Sequence, residues 1–131
     1  MSNVRAIVAG HGTFAEGMLS AIEQITGRPD LFIGVTNRDL SAQDVEQMLR
    51  ARLAESGATV IFTDLPAGSC TMAARRIQRE QPGLSVVTGV NLATLLDLAF
   101  TEAVDAPAVE HAADKGRAAL VVTAGGQAGG A

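Results

Sequence analysis

The sequence predicts an α/β fold in which helices cover both faces of a doubly wound, mostly parallel sheet. Short apolar or β-branched runs alternate with longer segments of helical period along most of the chain. The first four runs are almost continuously apolar, which is typical of parallel strands that are buried on both faces. Right-handed helical crossovers are the connections that such strands require. With 131 residues, the chain has the size of one such domain.

The predicted strands are five short runs, of which the first four form a sheet in the order 2-1-3-4. The fifth run comes so late in the chain that we expect it at an edge, where it pairs with its own sheet or with another subunit. The runs are Val4–Ala9, Leu31–Thr36, Ala58–Thr63, Leu84–Thr88 and Ala118–Thr123.

The first two helices are predicted from apolar periodicity and from their end signals. Apolar residues recur at three- and four-residue steps from Phe14 to Ile25, and Gly27 ends this helix. The second helix begins after Ser41, whose position before the apolar stripe is typical of a helix cap, and ends at Gly57.

The later helices are shorter. The third is predicted over residues 71–80 and stops before Pro82, because the residue that precedes a proline disfavours helical geometry. The fourth runs from Asn91, whose side chain is expected to cap it, to Phe100. Residues 107–117 form a short last helix with a weaker pattern.

Composition and chain ends exclude several functional classes. The chain has a net charge of −4 and contains neither Trp nor Tyr, which argues against a nucleic-acid partner. The single cysteine, Cys70, cannot form an internal disulfide, and no signal segment or apolar run of about 18 residues is present. We therefore expect a cytoplasmic protein. Residues 1–124 are predicted to be one domain and 125–131 a flexible, glycine-rich tail.

The loop after the first strand contains a glycine motif with two interpretations. Residues 10–15 match G-x-G-x-x-A, the fingerprint of dinucleotide binding. That fingerprint also needs an acidic residue at the end of the second strand, but this strand ends Val35-Thr36-Asn37. Dinucleotide or other small-molecule binding is therefore the weaker interpretation, and we predict no cofactor. No cluster of metal-ligating residues stands at ligand spacing, so we predict no metal either.

The other interpretation starts from His11 and Asp64, which follow the first and third strands. In the order 2-1-3-4 these strands are neighbours, so both side chains face the crevice at the carboxyl ends of the strands. A carboxylate that binds one imidazole nitrogen fixes the tautomer and leaves the other nitrogen free to accept a phosphoryl group. Backbone N–H groups around Gly68 and Ser69, where the third helix approaches, are expected to hold phosphate oxygens. A structural histidine and a turn-capping aspartate are the alternative.

Three blocks of the sequence resemble the IIA domains of the mannose-type sugar phosphotransferase system (PTS). They are "IVAGHGTFAEGMLSAIEQITG", "VIFTDLPAGSCTMAARR" and "VVTGVNLATLLDLAF", in the family's order within the first 100 residues. The resemblance implies an α/β homodimer in which an antiparallel C-terminal strand crosses to the partner's sheet. It also implies a phosphohistidine carrier that acts as a phosphotransferase in sugar uptake.

Site residues and partners follow from the same resemblance. His11 occupies the place of the histidine that HPr phosphorylates and that passes the group to an EIIB domain, with the membrane components EIIC and EIID as indirect partners. Asp64 matches the aspartate beside that histidine. Gly68 and Ser69 match part of the usual Gly-Gly-Ser-Pro loop, in which Ala67 and Cys70 replace the first glycine and the proline.

Two other functions remain open within the same fold. One is the phosphotransferase subunit of a dihydroxyacetone kinase, and the other is a regulatory PTS protein without a role in transport. The sugar itself cannot be inferred, because a IIA domain contacts only proteins. Of the remaining residues, Cys70 is interpreted as a buried filler rather than a redox-sensitive thiol, and His111 as a surface or packing residue.

Overall fold

The computed structural model describes residues 3–126 of the chain. Four parallel strands form one sheet in the order β2-β1-β3-β4, and the helices lie on both faces of this sheet. The predicted fold class and strand order are therefore confirmed. The strands are β1 (Ala6–Gly10), β2 (Phe32–Thr36), β3 (Val60–Thr63) and β4 (Ser85–Val87). The helices are α1 (Phe14–Thr26), α2 (Ala42–Ser56), α3 (Ser69–Glu80), α4 (Leu92–Ala99) and α5 (Ala106–Ala119).

The continuous apolar runs form central strands because each strand alternates its side chains between two cores. In β1, Val8 packs against α1, α4 and α5, whereas its neighbour Ile7 packs against α2 and α3. In β3, Phe62 and Ile61 divide in the same way. All four side chains are fully buried. Both faces of the central strands β1 and β3 are therefore shielded from water, which explains why these runs contain so few polar residues.

Local end signals set the boundaries of α2 and α4. The Ser41 hydroxyl accepts a hydrogen bond from the Asp44 N–H at 3.1 Å, and the Asn91 side chain accepts one from the Thr94 N–H at 3.1 Å. These bonds satisfy backbone donors that a helix leaves free in its first turn. Both predicted caps are confirmed. The predicted ends of α1 and α2, at Gly27 and Gly57, are confirmed as well.

The sheet register brings the loops after β1 and β3 together. Ala9 of β1 pairs with Thr63 of β3, so the residues that follow these two positions leave the sheet side by side. Because the strands are parallel, these loops lie at the same edge of the sheet, where α/β folds place their ligands. The fold thus puts the loop that contains His11 next to the loop that begins at Asp64.

The predicted boundary between the last helix and the fifth strand is wrong. α5 ends at Ala119, so it includes the first two residues of the predicted strand Ala118–Thr123. The helix begins at a cap, in which the Asp105 carboxylate accepts from the Ala108 N–H at 2.9 Å. Arginine and alanine are strong helix formers, and the segment Arg117-Ala118-Ala119 extends the helix beyond the predicted end at residue 117.

The segment after α5 has no strand partner within the described chain. Residues 120–124 pair with none of the four strands. Leu120, Val121 and Val122 are all strongly exposed. Pairing of this segment with another subunit stays a prediction, as does the division of the chain into a domain and a tail. Residues 127–131 of that predicted tail lie outside the described residues.

Candidate functional site

His11 and Asp64 contact each other at the carboxyl edge of the sheet. The Nδ1 atom of His11 lies 2.7 Å from Oδ2 of Asp64, and the backbone N–H of His11 donates to the same oxygen at 2.9 Å. The His11 side chain is 52% exposed, whereas that of Asp64 is 10% exposed. The pair is therefore anchored at the carboxylate and open to solvent at the imidazole.

The charge of Asp64 fixes the state of the His11 ring. Partial burial alone would raise the pKa of the Asp64 carboxyl, but hydrogen bonds from the backbone and the ring of His11 outweigh it and lower this pKa below the ordinary value. Asp64 is therefore ionised at neutral pH and can only accept, so Nδ1 carries the proton. In this tautomer Nε2 is the nitrogen whose lone pair can act as a nucleophile.

Two glycines allow this arrangement because they leave room beside the pair. A Cβ on Gly10 would lie 2.9 Å from the Asp64 Oδ2 atom and 2.7 Å from Phe14, both too close for a real side chain. A Cβ on Gly68 would lie 3.2 Å from Cε1 of His11, and Gly68 has a φ of +112°, which L side chains rarely adopt. A side chain at Gly68 would therefore crowd the imidazole edge that bears Nε2.

The first turn of α3 presents donors next to the ring. Its N-cap residue is Gly68, so no side chain caps the backbone N–H groups of this turn. The Ser69 hydroxyl accepts from the Asn37 side-chain amide at 2.8 Å, so the hydroxyl proton is free to donate elsewhere. A helix N-terminus with uncapped N–H groups favours an anion such as phosphate. Gly68 thus lies beside the His11 ring and Ser69 follows it in the chain, and phosphate binding by these two residues stays a prediction.

Sequence reasoning missed Asn37 and the apolar residues around the site. Asn37 follows β2 and joins that loop to α3 through its bond to Ser69. Leu65, directly after Asp64, and Met72, in the first turns of α3, both expose large apolar side chains. The only sequence signal for Asn37 was its place at the end of a strand, which it shares with His11 and Asp64.

The dinucleotide interpretation loses support at the end of β2. A ribose-binding carboxylate would be required there, but Thr36 occupies the last position of that strand. Its hydroxyl donates to the Gly12 carbonyl at 2.8 Å and accepts from the Arg38 N–H at 3.1 Å. The threonine therefore ties the glycine loop to β2, and the last position of that strand carries no acidic group for a ribose.

Cys70 is buried behind the site, as predicted for a packing residue. It is 1% exposed and belongs to the core between the sheet and the helices α2 and α3. Burial, with a smaller effect of the Asp64 charge, raises the pKa of its thiol to about 11. The thiol is therefore neutral at physiological pH, which does not suit a reactive cysteine. Residues 3–126 contain no group of three or more His, Cys, Asp or Glu side chains that could hold a metal ion.

A second histidine–carboxylate pair has similar geometry but a different setting. His111 Nδ1 lies 2.8 Å from the Asp97 Oδ2 atom, and the imidazole is exposed. His111 lies in the middle of α5 and Asp97 in α4, so neither belongs to a glycine loop or to a helix N-terminus. The surface position predicted for His111 is confirmed. This pair offers an internal control for the effects of the loop around His11.

Solved structures of IIA proteins share the fold of this chain. The mannose/sorbose-specific IIA subunit from Enterococcus faecalis is 24% identical, with a TM-score of 0.80 over 95% of this chain and 96% of that one. The PTS IIA protein associated with the fucose utilization operon of Streptococcus pneumoniae is 22% identical, with a TM-score of 0.78 over 93% and 96%. A sigma-54 interaction domain protein from Enterococcus faecalis is 20% identical, with a TM-score of 0.55 over 73% and 75%. Among curated proteins, none matches this chain.

The family comparison covers most of the chain. The family EIIA-man, described as the fructose IIA component of the PTS, matches residues 5–115. This range includes the loops of His11 and Asp64, the first turn of α3 and all four strands. No helix within residues 3–126 is long and apolar enough to span a membrane. The resemblance found in the sequence is confirmed, and the chain belongs to the EIIA-man family of PTS components.

Proposed function

We propose that this protein carries a phosphoryl group on Nε2 of His11, taking it from HPr and giving it to an EIIB domain for sugar uptake. The observation that supports this proposal best is the 2.7 Å contact between His11 Nδ1 and Asp64, which leaves Nε2 open to solvent. Membership of the EIIA-man family supports it independently. In this proposal, the membrane components EIIC and EIID determine which sugar is transported.

In the proposed first step, the Nε2 lone pair of His11 attacks the phosphorus of phospho-HPr. A new N–P bond forms while the N–P bond to the HPr histidine breaks, and that histidine leaves with the electron pair. The Nδ1 proton stays between His11 and Asp64, whose negative charge stabilises the positive charge that develops on the ring. The second step runs the same displacement towards the EIIB acceptor.

Positioning and electrostatics supply the catalysis in this proposal. The transferring group has a loose transition state with negative charge on its three equatorial oxygens. The N–H groups of the first turn of α3 and the Ser69 hydroxyl are the donors that we assign to these oxygens. Gly68 lets them approach the ring closely, because any side chain there would contact Cε1. The donors are fixed before the reaction, so little reorganisation is needed.

Partner docking would use the apolar rim of the site. Leu65 and Met72 expose large side chains next to Asp64 and α3, where the phosphoryl donor and acceptor must approach. Apolar groups ringed by polar ones are typical of transient protein contacts. A cytoplasmic location and the absence of a nucleic-acid partner stay predictions.

The first experiment tests the phosphorylated atom. The purified protein is incubated with phosphoenolpyruvate, enzyme I and HPr, and the acid-labile phosphate is located by mass spectrometry at alkaline pH. We expect phosphate on His11, none on His111, no labelling of His11→Ala and normal labelling of His111→Ala. Labelling of His11→Ala, or a wild-type protein that stays unlabelled while HPr is charged, would contradict the proposal.

The same labelled protein separates the remaining alternatives by its acceptor. Transfer to an EIIB domain supports sugar uptake, whereas transfer only to a dihydroxyacetone kinase partner supports the kinase subunit. A labelled protein that passes phosphate to neither, but binds a target in one phosphorylation state, supports the regulatory alternative.

We also propose a homodimer that is held by the segment after α5. Leu120, Val121 and Val122 expose consecutive apolar side chains near the end of the described chain, and β4 is an edge strand of the sheet that residues 3–126 form. Truncation after Ala119, where the helix ends, is expected to convert a dimer to a monomer in sedimentation analysis. Val121→Asp in the full chain should have the same effect. An unchanged dimer in both variants would exclude this segment as the interface.

A further inference from the structure

Thr71, in the first turn of α3, contacts both residues that flank Asp64. Its Oγ1 atom lies 2.6 Å from the Thr63 Oγ1 atom and 2.6 Å from the Leu65 carbonyl oxygen. Thr63 is fully buried and Thr71 is 1% exposed, so water does not compete for the contact between the two hydroxyls. One hydroxyl thus joins the residue before Asp64 to the residue after it.

Proton counting shows that this small network is complete. The Leu65 carbonyl can only accept, and each hydroxyl carries one proton. Both 2.6 Å contacts are satisfied when the Thr71 hydroxyl donates to that carbonyl and the Thr63 hydroxyl donates to Thr71 Oγ1, and the Thr63 hydroxyl also lies 3.3 Å from the same carbonyl. Among the described residues no buried side-chain polar atom is without a partner. Removal of the Thr71 hydroxyl would therefore take a 2.6 Å partner from the buried Thr63 hydroxyl and from the Leu65 carbonyl, and would leave between those two only their longer contact of 3.3 Å.

From this arrangement we infer that Thr71 is a positioning residue, which holds the Asp64 carboxylate in place for the phosphoryl transfer proposed above. The Asp64 Oδ2 atom must reach two donors of His11 at once, the backbone N–H at 2.9 Å and Nδ1 at 2.7 Å. Two such short contacts from one oxygen tolerate little displacement of the Asp64 backbone. Thr71 touches no reacting atom, so it acts through Asp64 and the His11 ring.

The test compares two substitutions at Thr71 that differ in whether they keep the hydroxyl. Thr71→Val keeps the shape of the side chain and removes the hydroxyl, whereas Thr71→Ser keeps the hydroxyl. Thr94→Val is the matched control, because Thr94 is also buried and its hydroxyl donates to the Asn91 side chain at 3.1 Å, within α4 rather than to a residue beside Asp64. All variants are measured as full chains, for the rate of phosphoryl uptake from HPr and for the titration of Asp64 by carbon NMR.

We expect Thr71→Val to slow uptake by about 10- to 100-fold, the cost of a small misplacement of reacting groups. In the same variant the pKa of Asp64 should rise towards its ordinary value, because its bonds to His11 are no longer aligned. Thr71→Ser should restore both quantities, and Thr94→Val should change neither. If Thr71→Val does not fold, Thr71→Ala is measured by the same criteria.

A folded variant without the hydroxyl that retains the wild-type uptake rate and the wild-type Asp64 titration would overturn the inference. The two proposals fail separately. If the wild-type protein accepts no phosphate, the function proposed for His11 is wrong, but the titration of Asp64 in the variants still decides the role of Thr71.

Discussion

Replacement of Asp64 with asparagine is expected to lower the rate of phosphoryl uptake by His11 by about 100-fold or more. The size of the side chain hardly changes, and both bonds from His11 go to the same oxygen of Asp64. An asparagine can place its carbonyl oxygen there and preserve the ring tautomer. The loss therefore measures the negative charge that stabilises the developing imidazolium. Asp64→Ala, which loses the tautomer control as well, should be slower still.

The chain provides a matched control for this prediction. Asp97→Asn removes the carboxylate of the second pair, 2.8 Å from His111, without touching the loops around His11. Its uptake rate in a rapid-quench assay should equal that of the wild type. A wild-type rate for Asp64→Asn, or an equal loss in both variants, would show that the His11–Asp64 pair does not drive the transfer.

The pH dependence of stability gives a second measure of the same pair. The pKa of Asp64 in the folded protein is below its ordinary value of 3.8, so the folded state stabilises the ionised carboxylate more than the unfolded state does. Its contribution to stability is fully present above the ordinary value and is lost as the pH falls through the lowered pKa. Urea denaturation between about pH 2 and pH 5 should show this loss in the wild type and a smaller one in Asp64→Asn.

The largest expected effect on stability is that of Gly116→Ala. At this position α5 passes so close to the start of α4 that a Cβ would lie 1.9 Å from the Thr94 hydroxyl and 2.9 Å from the Asn91 Oδ1 atom. The Gly116 carbonyl also accepts from the Asn91 side chain at 2.8 Å, so the helices cannot separate without the loss of that bond. Overpacking of this kind costs about 1–3 kcal/mol of unfolding free energy, and the short distance argues for the upper part of that range.

Gly17→Ala is the control for this substitution. Gly17 also lies inside a helix, α1, but a Cβ there would meet no atom within 4 Å. Because alanine is the better helix former, this variant should be more stable by up to about 1 kcal/mol. Equal effects of the two substitutions in urea denaturation would show that contact with Thr94 does not control stability. Neither variant should change the uptake of phosphate by the folded protein.

Several parts of the molecule were predictable because their causes are local in the sequence. The caps at Ser41 and Asn91 depend on contacts across three residues, and the buried strands depend on short apolar or β-branched runs. The approach of His11 to Asp64 was predictable as well, because strand order and strand ends fix where the carboxyl edges of parallel strands meet. The end of α5 was not predictable from the sequence, because the helix-forming segment Arg-Ala-Ala continues directly into a segment of β-branched residues.

By itself, then, the sequence determined the fold class, the strand order, the family and the two residues at the centre of the candidate site. Only the tertiary structure decided what holds them there. The bond between Asn37 and Ser69, the Thr71 contacts around Asp64 and the close packing of Gly116 on Thr94 join residues that are 6 to 32 positions apart. Such contacts depend on the angles at which packed elements meet, which no local pattern of side chains encodes.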